Sequence, residues 1–240
     1  MKDKDFRKWY GSVSGIEANR KGVIRRRYAS KSSYPERINY SKVRKDEEGN
    51  QYVIADSKRL RVDYIVAKCF CHNPMNDEFV IHRDGNKSNC EASNLQWVNA
   101  YVYNKMNGIT DWGYSDAGFR VSKSGEVQLD GKQETISCYS YDSDTYTDTT
   151  YSTTPYVANG MFNQYHFQVD ELVAAAWLKY PDQTDGILNP ALLHIDGDYK
   201  NCSADNLKWV ERGCQEYKDF VHRRSIDLAA EEEKLKREKP

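Results

Sequence analysis

What most limits how this chain can fold is a motif it carries twice. His82-Arg83-Asp84-Gly85-Asn86 leads through Asn89-Cys90 to Asn94-Leu95-Gln96-Trp97-Val98. His194-Ile195-Asp196-Gly197-Asp198 leads through Asn201-Cys202 to Asn206-Leu207-Lys208-Trp209-Val210. Every shared residue keeps its spacing between the copies. One such run can be chance, whereas two in matching register mean a duplicated structural unit. At 240 residues there is room for two domains, each able to bury its own core.

The duplication reaches upstream. Val62, Ile65, Val66, Cys69 and Phe70 are spaced for one buried helix face, and Val169 through Trp177 repeats the pattern. Asp63 and Asp170 stand where a carboxylate caps a helix start and complements its dipole. Earlier still, Gly15-Ile16 to Gly22-Val23-Ile24 is echoed by Gly118-Phe119 to Gly125-Glu126-Val127, each reading as strand, turn, strand. The Asp-Gly pairs signal hairpin turns. The Asn-Leu-x-Trp-Val segments feed helices expected over 99–107 and 211–223. The expected domains are 1–108 with a basic N-terminal strand segment, 109–223, and a charged C-terminal helix in 224–240. The Tyr/Asp/Thr/Ser-rich series 137–154 reads as an exposed hairpin or long loop inserted in the second unit.

Composition narrows the setting. No apolar run approaches bilayer-crossing length, so no membrane role is expected. The N-terminal Met1-Lys2-Asp3-Lys4-Asp5 has charges with no apolar stretch behind them, which argues against secretion. Six cysteines fall at 69, 71, 90, 138, 202 and 214 without paired CxxC spacing. Cys90 and Cys202 occupy equivalent repeat positions, as small buried side chains do, while Cys69 and Cys71 read as a pair of free thiols, with a Cys69/Cys71/His72 metal site as the alternative. The net charge of −1 is unevenly spread: residues 1–65 hold 17 Lys and Arg against 9 Asp and Glu, and residues 106–200 hold 5 against 14. The first stretch suits DNA phosphates, and the opposite signs together suit contacts between copies or with another protein.

An apolar helix ending in Phe or Trp, a loop, His-x-Asp-Gly and Asn-Leu-x-Trp-Val together resemble the HNH endonucleases, especially homing and phage-encoded ones. The strand segment upstream is similar to the DNA-binding module that often precedes that nuclease domain. The resemblance covers most of 12–107 and, more loosely, 112–218. It implies an α+β fold of two tandem HNH-like ββα units, each preceded by short strands and a helix, plus the C-terminal helix. It also implies that His82 and His194 stand at the general-base position, with Asn94 and Asn206 orienting them. A divalent metal such as Mg²⁺ would stabilise the leaving oxygen, with Asn104 the candidate last ligand.

The residue before each histidine departs from that pattern. Ile81 and Leu193 stand where the family carries a polar ligand, and neither binds a hard cation. The histidines, asparagines and tryptophans also suit a purely structural role, bracing a loop by buried hydrogen bonds and packing. The expectation is a phage-encoded, catalytically degenerate tandem protein without a cofactor. Its role would be structural, such as a capsid-associated auxiliary protein in host cytoplasm or virion, partnered by other subunits or by itself. The alternatives are an active metal-dependent endonuclease working through the first unit, and a non-cleaving DNA-binding protein. Either would use Arg25, Arg26, Arg27, Lys42, Arg44 and Lys45 on phosphates.

Overall fold

The computed structural model describes residues 3–30, 35–131, 156–158 and 166–238. The expected insertion at 137–154 lies outside them. Among the described residues the fold is α+β, with small antiparallel sheets and four α-helices in two compact units, Met1–Asn99 and Ala100–Pro240. None of the helices is long and apolar enough to cross a membrane.

In the first unit β1 (Phe6–Lys8), β2 (Ile16–Asn19), β3 (Ile24–Tyr28) and β4 (Arg37–Tyr40) form one sheet in that order. A second sheet is built from β5 (Arg44–Lys45), β6 (Gln51–Ala55) and β7 (Lys58–Arg61). The chain runs straight into α1 (Val62–Phe70), then β8 (Phe79–His82) pairs with β9 (Leu95–Val98). Alternation along β2 buries Ile16 and Ala18 and turns Glu17 outward, as a half-buried strand requires. Those residues join Ile24, Val53, Ile65, Val66, Leu95 and Trp97 in one core.

The second unit opens with α2 (Ala100–Met106), followed by the sheet β10 (Trp112–Tyr114), β11 (Phe119–Ser122) and β12 (Val127–Leu129). Next come the pair β13 (Tyr156–Ala158) and β14 (His166–Gln168), α3 (Val169–Trp177), the pair β15 (Pro190–His194) and β16 (Leu207–Glu211), and α4 (Gln215–Glu238). Phe119, Val121, Val127, Val169, Leu172 and Val173 form its main core. A separate cluster joins Leu193, Tyr199 and Val210 to Phe220 of α4.

Three features differ from the sequence expectations. The division falls at Asn99/Ala100 and not near 108, because α2 packs on α3 and β10. The helices expected at 211–223 and within 224–240 are one continuous element, α4, since no Gly or Pro interrupts Gln215–Glu238. The Asp-Gly pairs do not make tight hairpins: they sit early in the loops 83–94 and 195–206, where Asp84 and Asp196 take up hydrogen bonds across the loop.

The strand-turn-strand segments position those loops. In the first unit Gly22 adopts φ +79° and its N–H donates to Asn19 O, closing the β2–β3 turn. The turn then docks on the motif loop, with Ala92 N–H donating to Arg20 O at 2.8 Å. In the second unit Gly125 adopts φ +92°, its N–H donates to Ser122 O, and Ala204 N–H donates to Lys123 O at 2.8 Å. A Cβ on Gly22 would lie 3.2 Å from Cys90 O, and one on Gly125 would lie 3.3 Å from Cys202 O. Each glycine therefore satisfies two demands, left-handed backbone and close approach to a neighbouring chain segment.

Gly22→Ala is expected to destabilise the first unit by about 1–3 kcal/mol, combining the left-handed penalty with backbone crowding. Gly85→Asn, at φ +71° with open space around its Cβ position, should cost a few tenths. Urea unfolding of the two variants checks the order, and equal losses would refute the close-approach argument.

Candidate functional site

The motif loops are held by an amide facing a carboxylate. Asn94 accepts from Asp84 N–H at 3.0 Å and donates to Asp84 Oδ1 at 2.9 Å and Asn89 O at 2.8 Å. Asn206 makes the corresponding bonds to Asp196 N–H, Asp196 Oδ1 and Asn201 O at 3.0, 2.9 and 2.8 Å. The outer oxygens, Asp84 Oδ2 and Asp196 Oδ2, accept from Asn89 and Asn201, each at 2.7 Å. Hydrogen bonds from Asn89, the Asn86 N–H and Asn94 hold the Asp84 carboxyl below its usual range. Burial pushes Asp196 up, and bonds from Asn201, the Asp198 N–H and Asn206 outweigh it.

The two histidines end β8 and β15 in different surroundings. His194 is 2% exposed. Its Nδ1 faces the carbonyls of Asp198 at 3.1 Å and Asn201 at 3.2 Å, and its Nε2 lies 3.1 Å from Asp170 Oδ2. Every one of these partners is an acceptor, so the ring has no lone pair turned toward a water to be activated. Phe220 stacks on it with rings 2° from parallel, and Tyr199 meets it edge-on at 5.9 Å.

His82 is buried as well, at 8% exposed, but with looser partners. Its Nε2 stands 3.9 Å from Asp63 Oδ2 and 4.0 Å from Cys90 Sγ. Burial holds its pKa below the ordinary imidazole value, Asp63 and Asp84 pull it up, and Arg61 and Lys87 push it down. Burial also pushes the Cys90 thiol up to about 12, which leaves it protonated. Counted by motif register, the place of Tyr199 is held in the first unit by Lys87. Tyr199 therefore has no aromatic counterpart at that register position beside His82.

The expected basic residues divide into two groups. Arg25, 3% exposed, pairs with Asp3 and Glu17 and lies over the Phe6 ring at 3.7 Å. Arg26 grips Asp56 through two bonds of 2.6 and 2.8 Å. Arg27 binds Glu17, Glu36 and Asp3. These three guanidinium groups hold the first sheet together and are not presented to phosphates. Lys42, Arg44 and Lys45 are exposed and make no side-chain hydrogen bond or ion pair among the described residues. They lie on or beside the short edge strand β5. Its hairpin with β6 is tied to the motif loop by Gln51 Nε2 donating to Ser88 O at 2.7 Å and Ser88 Oγ donating to Gly49 O at 3.0 Å.

Asn104 is far from the expected metal role. It is 2% exposed in α2, accepts from Tyr114 N–H at 2.9 Å, and donates to Tyr114 O and Ala176 O at 2.8 and 3.0 Å. Ile81 and Leu193 are buried apolar side chains. The oxygen donors around His82 are already engaged, Asn94 and Asp84 within the loop and Asp63 with Arg61, so a divalent metal there would have to displace these contacts. No cluster of three His, Cys, Asp or Glu suited to a metal occurs among the described residues.

Asp63 and Asp170 face the motif histidines, a role the sequence reading did not assign them. Each sits in the first helical turn, with Oδ1 accepting the next N–H at 2.8 Å, from Tyr64 or Glu171. Their recurrence at the second position of both apolar helices was the available signal. Trp97 is a core residue, while Trp209 is half-buried against Tyr180.

Asn94→Ala is expected to lower stability by about 2 kcal/mol or more, since it strands Asp84 N–H and Asn89 O. Urea unfolding measures it, and a loss under 0.5 kcal/mol, a rough limit for ordinary surface changes, would refute the brace. Acid supplies a second test. Because His82 is depressed in the fold, its contribution is fully present above the ordinary imidazole value of about 6.5 and is lost as pH falls. The wild-type urea midpoint should therefore fall between pH 7.5 and 5.5 more than that of His82→Gln. Parallel declines would show that another group is responsible.

No family model matches the chain. Over 54 residues it is 43% identical to an uncharacterized HNH endonuclease of Acanthamoeba polyphaga mimivirus, a stretch covering 22% of this chain. The match spans only 16% of that protein's length. Among solved structures, the HNH homing endonuclease I-HmuI, in a structure describing DNA binding and cleavage, aligns at 24% identity and a TM-score of 0.32. That alignment covers 43% of this chain and 58% of the other. The chain thus carries a 54-residue stretch similar to part of an HNH endonuclease.

Proposed function

We propose that this chain is two HNH-like units in tandem and acts as a DNA-binding protein, with the first unit making the DNA contact. The observation that carries the reading is the placement of Lys42, Arg44 and Lys45. They are three unpaired cations on a hairpin hydrogen-bonded to the motif loop that follows His82. Unpaired surface cations release counterions on meeting phosphate, whereas the carboxylate-bound Arg25, Arg26 and Arg27 are already neutralised. The 54-residue similarity to a viral HNH endonuclease supports DNA as the class of partner. In the second unit His194 is bonded on both nitrogens and covered by Phe220, which suits a supporting role. The expected assembly role draws on the apolar residue before each histidine, the near-zero net charge, the Tyr/Thr/Ser-rich series and the split of charge along the chain. Of these, the charge split is weakened, because Arg25, Arg26 and Arg27 are paired inside the first unit.

Cleavage through the first unit is the second reading, favoured by Lys87 in place of Tyr199 and by the burial that holds the His82 pKa below its ordinary value. The engagement of Asp63 with Arg61 and of Asp84 with Asn94 counts against it.

Duplex DNA binding followed by fluorescence anisotropy at several salt concentrations tests the proposal. The variant K42A/R44A/K45A should bind more weakly and show a log–log salt slope shallower by about 2 to 3. An unchanged affinity and slope would overturn the first-unit contact. Supercoiled plasmid with Mg²⁺ separates the readings: nicking that His82→Ala abolishes would replace binding alone with cleavage.

A further inference from the structure

The two units place the same aspartate beside the same histidine at different distances. Asp170 Oδ2 reaches His194 Nε2 at 3.1 Å, within hydrogen-bonding range, whereas Asp63 Oδ2 stops 3.9 Å from His82 Nε2. In sequence the helices match, Val62-Asp63 against Val169-Asp170, and the residue just before differs, Arg61 against Gln168. The Arg61 guanidinium is a fork. Its Nε donates to Asp63 Oδ1 at 3.1 Å and its Nη2 to Asp63 Oδ2 at 2.5 Å. Asp63 Oδ1 also accepts the Tyr64 N–H. A carboxylate held by a two-point guanidinium contact and a helix N–H has its charge and lone pairs largely committed. Gln168 puts an uncharged amide in that place.

We propose that Arg61 is a positioning residue that withholds Asp63 from His82 and so keeps the His82 ring free to accept a proton, while Gln168 lets Asp170 lock His194. This goes beyond DNA binding and does not depend on it. The groups facing His82 are Asp63 on α1, Arg61 at the end of β7, and Asp84, Lys87 and Cys90 on the motif loop. Among them Asp63 is the nearest charge, and Arg61 is the cation in contact with it. The directions of their influence agree: Asp63 favours the protonated ring and Arg61 opposes it.

The test is the titration of His82 by NMR in the full chain, resolved from the other histidines by comparison with His82→Gln. The Arg61 side chain is 46% exposed, so Arg61→Gln should fold. In R61Q the His82 midpoint should rise by about one unit, a tenfold shift in its protonation equilibrium. An unchanged or lowered midpoint overturns the proposal. D63N and R61Q/D63N then identify the route. If Arg61 acts through Asp63, R61Q in the D63N background should leave the midpoint where D63N puts it. A rise of the same size there would mean that Arg61 acts on His82 directly through space, which also overturns the proposal. Should D63N fail to fold, a crystal structure of R61Q decides. The Asp63–His82 separation should contract from 3.9 Å toward the 3.1 Å seen in the second unit, and an unchanged separation refutes the mechanism. If nicking is observed, R61Q should also move the acid limb of its pH profile upward. If none is observed, cleavage alone fails and the titration still stands.

Discussion

The loop between the paired strands of each unit depends on one side-chain amide. A loop that leaves a strand, turns at a left-handed glycine and returns as the next strand carries several backbone groups that the ladder cannot satisfy. Asn94 satisfies Asp84 N–H and Asn89 O at once, and grips the Asp84 carboxylate that itself organises Asn86 and Asn89. The Asn94 carbonyl then accepts the Arg83 N–H, so the brace continues directly into the β8–β9 ladder. An aspartate at this position would offer two acceptors and no donor against Asp84. A leucine would leave the backbone groups unpaired. Asn206 repeats the arrangement with matching distances, which is why the polar part of the motif survives in both copies whatever each unit does.

The elements that sequence made legible are those governed by local physics. The apolar spacing of α1 and α3, the glycines that close the two strand turns, and the buried Cys90 and Cys202 follow from periodicity and from φ alone. The misread elements depend on what lies across space. Arg25, Arg26 and Arg27 look like a phosphate-binding run until the strand register sets Glu17 against Arg25 and brings Asp56 and Glu36 within reach. Asn104 looks like a late metal ligand until α2 is seen packing on α3, where its amide supports Tyr114 and Ala176. Asp63 reads as a helix-start carboxylate, which it is. That its second oxygen points at His82 depends on how α1 lies against β8, and no local pattern encodes that.

The same scaffold with different neighbours gives two histidines of opposite character. Around His194 the chain supplies Tyr199, Phe220 and an aspartate not held by an arginine. The resulting cluster is a small aromatic core, in which an imidazole bonded on both nitrogens is a packing element. Around His82 the corresponding positions within its unit carry Lys87 and an Arg61-bound aspartate. A lysine contributes little to a core, and on its Nε2 side the ring has only the long contacts to Cys90 Sγ at 4.0 Å and Asp63 Oδ2 at 3.9 Å. A buried polar group with unmet hydrogen-bonding capacity is usually unfavourable, and it tends to persist where it serves a site. The Asn94 brace, α1 and the docked β5–β6 hairpin hold the first unit independently of His82. Its loop can therefore tolerate an under-bonded histidine that the second unit, whose β15 relies on α4 for cover, converts into structure.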